Sequence, residues 1–151
     1  MTKTGQLPAI IIDLDGTLAN ITNRLHFLSE RPRNWPEFFA NIDQDQVNHW
    51  CNELNLAMRA KGYSTLLLTG RSEKYRESST QWLTDQKIEY DKLYMRKSGD
   101  FRDDWLIKKE VYLDQIKPEY QVLFVLEDRA SVVKMWREIQ VTCLQCDVGD
   151  F

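Results

Sequence analysis

The sequence predicts an α/β domain built on a mainly parallel sheet. Three observations point there. Short Ile/Leu/Val runs recur without polar alternation, as expected for strands buried on both faces. Helix-period patterns fill the intervals between them. Several of the apolar runs end in acids or in Thr-Gly-Arg, on what would be one edge of the sheet.

The first run is "AIIIDLD", Ala9–Asp15, and the second "STLLLTG", Ser64–Gly70. "KLYMR" (Lys92–Arg96) is a weaker third, "QVLFVLED" (Gln121–Asp128) a fourth and "VTCLQC" (Val141–Cys146) a fifth. Between the first two, "DQVNHWCNELNLAMRAKG" puts Val47, Trp50, Leu54 and Met58 on one predicted helix face, with Gly62 as its stop. Ser72 is the expected cap of the next helix, "SEKYRESSTQWLTDQK". "DDWLIKKEVYLDQIKP" ends at Pro118, and "ASVVKMWREI" joins the last two strands. One segment breaks the rhythm. Residues Ala19 to Asp43 are long for a strand-to-helix loop and carry "WPEFF". They are expected to form a small cap over the site within a single domain spanning 1–151.

The bulk numbers exclude some classes. The formal net charge of -3 argues against a basic surface built to grip long duplexes. "MTKTGQLP" has no charged-then-apolar leader pattern, and no apolar run nears the roughly 20 residues of a membrane span. Three cysteines do not make a disulfide framework. The expected location is therefore cytoplasmic, with no membrane partner. "CLQC" (Cys143, Cys146) lacks the further ligands that zinc needs and reads as buried thiols. His26 and His49 read as packing or surface residues.

In parallel α/β sheets, ligands sit beyond the carboxyl ends of the strands. There the sequence places Asp13 and Asp15, then Thr69, Gly70 and Arg71, then Glu127, Asp128 and Arg129, with Asp104 and Lys108 from the following helix. Taken singly, each is a plausible turn, cap or solvated charge. Taken together, the carboxylates repel unless a cation sits among them, and hard oxygen ligands at an open rim suit Mg²⁺. Spacing by two would put Asp13 and Asp15 on one strand face, toward one metal and one substrate. One carboxylate is then available as nucleophile and the other as proton carrier.

"DLDGT" resembles the DxDxT signature of haloacid dehalogenase superfamily phosphatases, whose fold is Rossmann-like. Thr69, Lys108 and the Glu127–Asp128 pair follow in that family's order. "TGR", "DDWLIKKE", "EDRASVVKMWREI" and the closing "GDF" further resemble the 3′-phosphatase domains of bacteriophage polynucleotide kinases. The resemblance implies Asp13 as nucleophile, Asp15 as general acid/base, and Thr69 and Lys108 as phosphoryl-holding groups. It implies Arg24, Arg71 and Asp104 as substrate-site residues. It implies Mg²⁺ held by Asp13, the Asp15 carbonyl, Glu127 and Asp128. The acidic pair is commonly Asp-Asp in the family and is Glu-Asp here. No "GxxxxGK[ST]" is present, so 5′ phosphorylation is not expected of this chain.

Three functions fit. The first is release of phosphate from 3′-phosphorylated DNA or RNA ends. The second is a nucleotidase or small-molecule phosphomonoesterase, and the third a non-catalytic end-binding module. Trp35, Phe38 and Phe39 either stack a base or pack the cap onto the core. "YMRKSGDFR" (Tyr94–Arg102) either guides a nucleic-acid backbone or is an ordinary solvated loop.

Overall fold

A computed structural model describes residues 5–149, so Asp150 and Phe151 of the closing "GDF" lie outside the described residues. Five parallel strands form one sheet. They are β1 (Leu7–Ile12), β4 (Ser64–Ser72), β5 (Lys92–Arg96), β6 (Tyr120–Glu127) and β7 (Cys143–Gln145). A pair of two-residue strands, β2 (Ala19–Asn20) and β3 (Gln46–Val47), runs antiparallel beside it. The large sheet has the order β5-β4-β1-β6-β7, so β1 is central.

The isoleucine run is continuous because both faces of β1 are covered. Ile11 joins Leu66, Leu68, Val125, Val132 and Trp136 in one core layer. Ile10 and Ile12 face the other way, with Leu67, Trp82, Leu83 and Leu126. The helices α5 (Asp104–Val111) and α6 (Ala130–Glu138) contribute to the first layer. The helices α3 (His49–Ala60) and α4 (Arg76–Asp85) contribute to the second.

The details of α3 and α4 correct two sequence expectations. Trp50 is exposed, and the inward face of α3 is instead Cys51 with Leu54, Asn55 and Met58. Val47, Leu54 and Met58 pack inward as expected and only Trp50 departs, its place taken by Cys51, on the side where Asn55 is buried through bonds to Glu89 O and Thr65 Oγ1. Ser72 does cap, but it caps the short 3₁₀ turn Glu73–Tyr75 that precedes α4. Among the described residues, no helix is long and apolar enough to cross a membrane.

The segment after β1 has its own small core. Between β2 and β3 lie α1 (His26–Ser29), α2 (Trp35–Ala40) and a 3₁₀ turn, Ile42–Gln44. Asn34 opens α2 by accepting from Glu37 N, and Pro36 occupies the first turn, where no helical N–H is needed. Ile21, Leu28 and Phe38 are buried together, so Phe38 packs the insertion. Both histidines are exposed. Cys51 and Cys143 are buried free thiols and Cys146 is half-buried.

Candidate active site

The two aspartates of "DLDGT" lie just past β1, in a tight turn rather than on the strand. Asp13 is tied to β6 through its N–H to Leu126 O, at 3.1 Å, and Gly16 N–H donates to Ala19 O at 3.0 Å. The turn sends the two carboxylates to different partners, and both residues line one cleft by way of the turn rather than along a strand face.

Asp13 meets Lys108, whose Nζ lies 2.8 Å from Asp13 Oδ1 and 2.8 Å from Glu127 Oε2. Thr17 Oγ1 donates to Asp13 Oδ2 at 3.1 Å and contacts Asp128 Oδ1 at 3.3 Å. Asp13, Glu127 and Asp128 each present an oxygen, all within 4.8 Å of one another, and all three residues are buried. Burial would deprotonate the Lys108 ammonium, but Asp13, Glu127 and Asp104 outweigh it and hold its pKa well above the ordinary value. Burial and the Asp13 charge raise the carboxyls of both Glu127 and Asp128. One ammonium among three crowded, buried acids leaves negative charge uncompensated. A divalent cation with hard oxygen preference fits that donor set. The Asp15 carboxylate is not part of the cluster.

Asp15 meets two arginines instead. Arg71 grips it with Nε at 3.0 Å and Nη2 at 2.7 Å, and Arg24 adds Nη2 at 2.5 Å. Burial alone would raise the Asp15 carboxyl, but Arg71 and Arg24 overcome it and hold it well below the usual carboxylate range. Both arginines are buried. Arg24 is further held by Asp45 at 2.9 and 2.6 Å and by Phe38 O, with its guanidinium 4.2 Å from the Phe38 ring centroid. Arg71 also donates to Ser79 Oγ. The substrate-site expectation for Arg24 and Arg71 therefore meets guanidinium groups already engaged with Asp15.

Thr69 is buried at the end of β4, where the pairing with β5 becomes irregular between Leu68 and Ser72. Its Oγ1 accepts from Arg71 N at 3.1 Å. Asp104 lies 3.3 Å from Arg96, 3.5 Å from Arg129 and 3.7 Å from Lys108, so it links the cleft wall to the buried lysine. Asp45, Thr17 and Arg96 were missing from the sequence-derived site list. Thr17 was legible as the last letter of DxDxT. Nothing local separates Asp45 from Asp43, which is exposed.

Two glycines make this packing possible. Gly16 has φ +86°, and a Cβ there would fall inside the Asp128 carboxylate. A Cβ on Gly70 would likewise fall on Asp104. Gly16→Ala is expected to lower the unfolding free energy by about 1–3 kcal/mol, through backbone strain and overpacking. It should also weaken divalent-cation binding by moving Asp128. Urea denaturation and titration calorimetry with Mn²⁺ measure the two effects. An unaltered cation affinity would remove Asp128 from the metal site.

The groups converge on an open cleft of about 650 Å³. Its floor includes Asp13, Asp15, Thr69 and Glu127, and its walls include Arg96 and Arg129.

The family profile described as the phosphatase domain of polynucleotide kinase PNKP matches residues 7–151. The chain belongs to that family. It is a haloacid dehalogenase-type phosphatase domain related to polynucleotide kinase/phosphatase. Its sequence is 37% identical to a chain in a solved Pnkp1/Rnl/Hen1 RNA repair complex, with a TM-score of 0.87, covering 100% of this phosphatase domain and 46% of that chain. A second structure of a Pnkp1/Rnl/Hen1 complex gives 37% identity and a TM-score of 0.86, covering 99% of the domain and 49% of that chain. A protein of Autographa californica nuclear polyhedrosis virus, described as a bifunctional polynucleotide kinase/RNA ligase, is 28% identical over 140 residues. That match covers 88% of the phosphatase domain and 18% of the viral protein. The domain thus spans less than half the length of each of these relatives. The Class C acid phosphatase of Bacillus anthracis shares the fold, at 14% identity and a TM-score of 0.67, covering 85% of this chain and 54% of that one.

Proposed function

We propose that this domain removes 3′-phosphate groups from nucleic-acid ends, with Mg²⁺, through an aspartyl-phosphate on Asp13. The observation that carries the reading is the buried Asp13–Lys108–Glu127 arrangement beside an Asp15 that two arginines hold ionised. Membership of the polynucleotide kinase phosphatase family supports the nucleic-acid substrate. The RNA repair complexes that contain its relatives favour RNA ends, and suggest ligase and Hen1 proteins as partners of the whole protein.

In this reading Asp13, Glu127, Asp128 and the Asp15 carbonyl would hold Mg²⁺, which when bound would offset the repulsion between the Asp13 carboxylate and the phosphoryl oxygens. Asp13 Oδ attacks phosphorus, and the bond from phosphorus to the 3′ oxygen breaks. Thr69 and Lys108 hold the transferring group, and the Lys108 ammonium offsets the charge that grows on it. Asp15 gives a proton to the departing 3′ oxygen. Since Asp15 is ionised at rest, it must first receive that proton. A phosphate monoester, with a second pKa of about 6, can carry it in. Asp15, ionised again, then takes a proton from the water that displaces Asp13 and releases phosphate.

Arg24 and Arg71 act in this account by positioning Asp15, and Asp104 by positioning Lys108 and Arg96. The insertion at about 19–43 serves as a cap on a single phosphatase domain. The competing reading, a nucleotidase, uses the same residues with a smaller substrate. The test is kcat/KM on a 3′-phosphorylated oligoribonucleotide, its DNA counterpart and 5′-mononucleotides, with Mg²⁺ and with excess chelator. The expected result is highest activity on the oligonucleotides, abolished by chelation and restored by Mg²⁺. Better turnover of 5′-mononucleotides would replace the 3′-end reading with the nucleotidase one. Full activity in chelator would remove the metal from the mechanism.

A further inference from the structure

The cleft is larger than a phosphoryl group requires, and falls in the size range of sites that enclose whole small ligands. Two groups of aromatic rings, from three segments, line it. One begins on α2, whose Trp35 and Phe39 rings stack with centroids 5.8 Å apart. Phe39 in turn meets Tyr75, after β4, at 5.1 Å. The other is on the loop after β5, which carries Phe101 into the cleft lining.

Phe101 is 93% exposed, far more than any other large hydrophobic residue described. An isolated exposed phenylalanine on a loose loop would need no explanation. This loop is not loose. Arg96 donates to the carbonyls of Asp100 and Arg102 from one side and of Gly70 from the other. Arg102 forms paired bonds to Asp100 and to Glu110, and Ser98 meets Ser72. Arg96 is also the partner of Asp104, so the same side chain that braces the loop touches the catalytic lysine's neighbour. The fold thus holds an uncovered ring in place at the edge of the phosphatase cleft.

Planar rings flanked by guanidinium groups suit a ligand that has a π face and phosphates together, which is a nucleotide within a strand. We propose that Phe101 stacks on a nucleobase at the 3′ end of the substrate, with the Trp35–Phe39–Tyr75 array forming the facing aromatic wall. The proposal rests on the 3′-end phosphatase reading. It adds a binding determinant that the phosphoryl chemistry does not need, and it makes the end's base part of what the domain recognises.

The experiment uses two 3′-phosphorylated oligonucleotides that differ only in whether the last nucleoside carries a base or is abasic. The ratio of kcat/KM for the two is measured in the wild type, Phe101→Ala and Phe101→Trp. Phe101 is exposed, so neither variant threatens the core. The wild-type ratio is expected to be about tenfold or more, the size of one base–aromatic stack. It should fall toward one in Phe101→Ala and recover in Phe101→Trp. A wild-type ratio near one, or a ratio unchanged in Phe101→Ala, overturns the stacking proposal while leaving the 3′-end reading intact. Turnover of p-nitrophenyl phosphate with neither oligonucleotide cleaved overturns both.

Discussion

Asp13→Asn is expected to lower kcat by roughly 10⁴–10⁶, the scale seen when a catalytic nucleophile unit is disabled. The asparagine oxygen can still accept from Lys108 Nζ, while its amide nitrogen takes the place of the oxygen facing Thr17 Oγ1, a hydroxyl that can turn to accept, so the local geometry largely survives. What disappears is the charged oxygen that attacks phosphorus in the proposed mechanism. Stability should move the other way. Asp13 is a large source of repulsion on Glu127 and Asp128 after burial itself, and Lys108 keeps Glu127 as a partner at 2.8 Å. Without divalent cation, the variant should be at least as stable as wild type in urea. Steady-state kinetics on the 3′-phosphorylated oligonucleotide, with mass spectrometry to exclude deamidation, reads the first effect. Turnover within tenfold of wild type would pass the nucleophile role to another group.

Lys108→Ala should fail in a different way, losing both rate and stability. Lys108 is buried and supplies the cation between Asp13 and Glu127. Removing one partner of a buried ion pair costs about 3–5 kcal/mol, because the charges left behind have no counterion. The lost electrostatic donor should reduce kcat by about 10²–10³. Urea denaturation measures the first, and kcat at saturating substrate the second. Mn²⁺ should restore part of the stability by compensating the carboxylates, without restoring kcat. Lys109 cannot take over, since successive helix residues point about 100° apart. An unchanged kcat would end the assignment. The folded Lys108 pKa is raised, so its stabilisation is fully present below the unfolded value of about 10.4 and fades only as pH rises through the higher folded value. The lysine itself therefore does not titrate near neutral pH.

Much of this architecture is readable from residue order. "AIIID" and "TLLLT" are apolar without alternation, which points to cover on both faces and so to a parallel sheet with helices on each side; "VLFVLE" reads the same way, though its Leu123 is exposed. Once the strands are parallel, their carboxyl ends lie on one edge, and Asp13, Thr69 and Glu127–Asp128 must gather there. The place of Trp50 beside α3's inward face was less legible, although Val47, Leu54 and Met58 pack as their spacing indicates. Trp50 is the larger apolar residue, yet it is Cys51 that is buried, because the adjoining polar Asn55 is drawn inward by Glu89 O and Thr65. That bond spans 34 residues of sequence and leaves no mark in a local pattern.

The sequence alone determined which residue types meet at the sheet edge, since strand direction and spacing are local consequences of side-chain burial and backbone geometry. It also marked the segment after the first strand as too long for a simple loop; the structure builds α1, α2 and a 3₁₀ turn there, between β2 and β3. Only the tertiary structure decided how the charges pair. The turn at Gly16 separates Asp13 from Asp15, giving one to Lys108 and the other to Arg71 and Arg24. Asp45, 21 residues beyond Arg24, then completes the arginine's shell. The physical reason is that ion pairing depends on distance through space. Buried charges choose the counterions that the folded chain brings within about 3 Å, and sequence separation does not enter that energy.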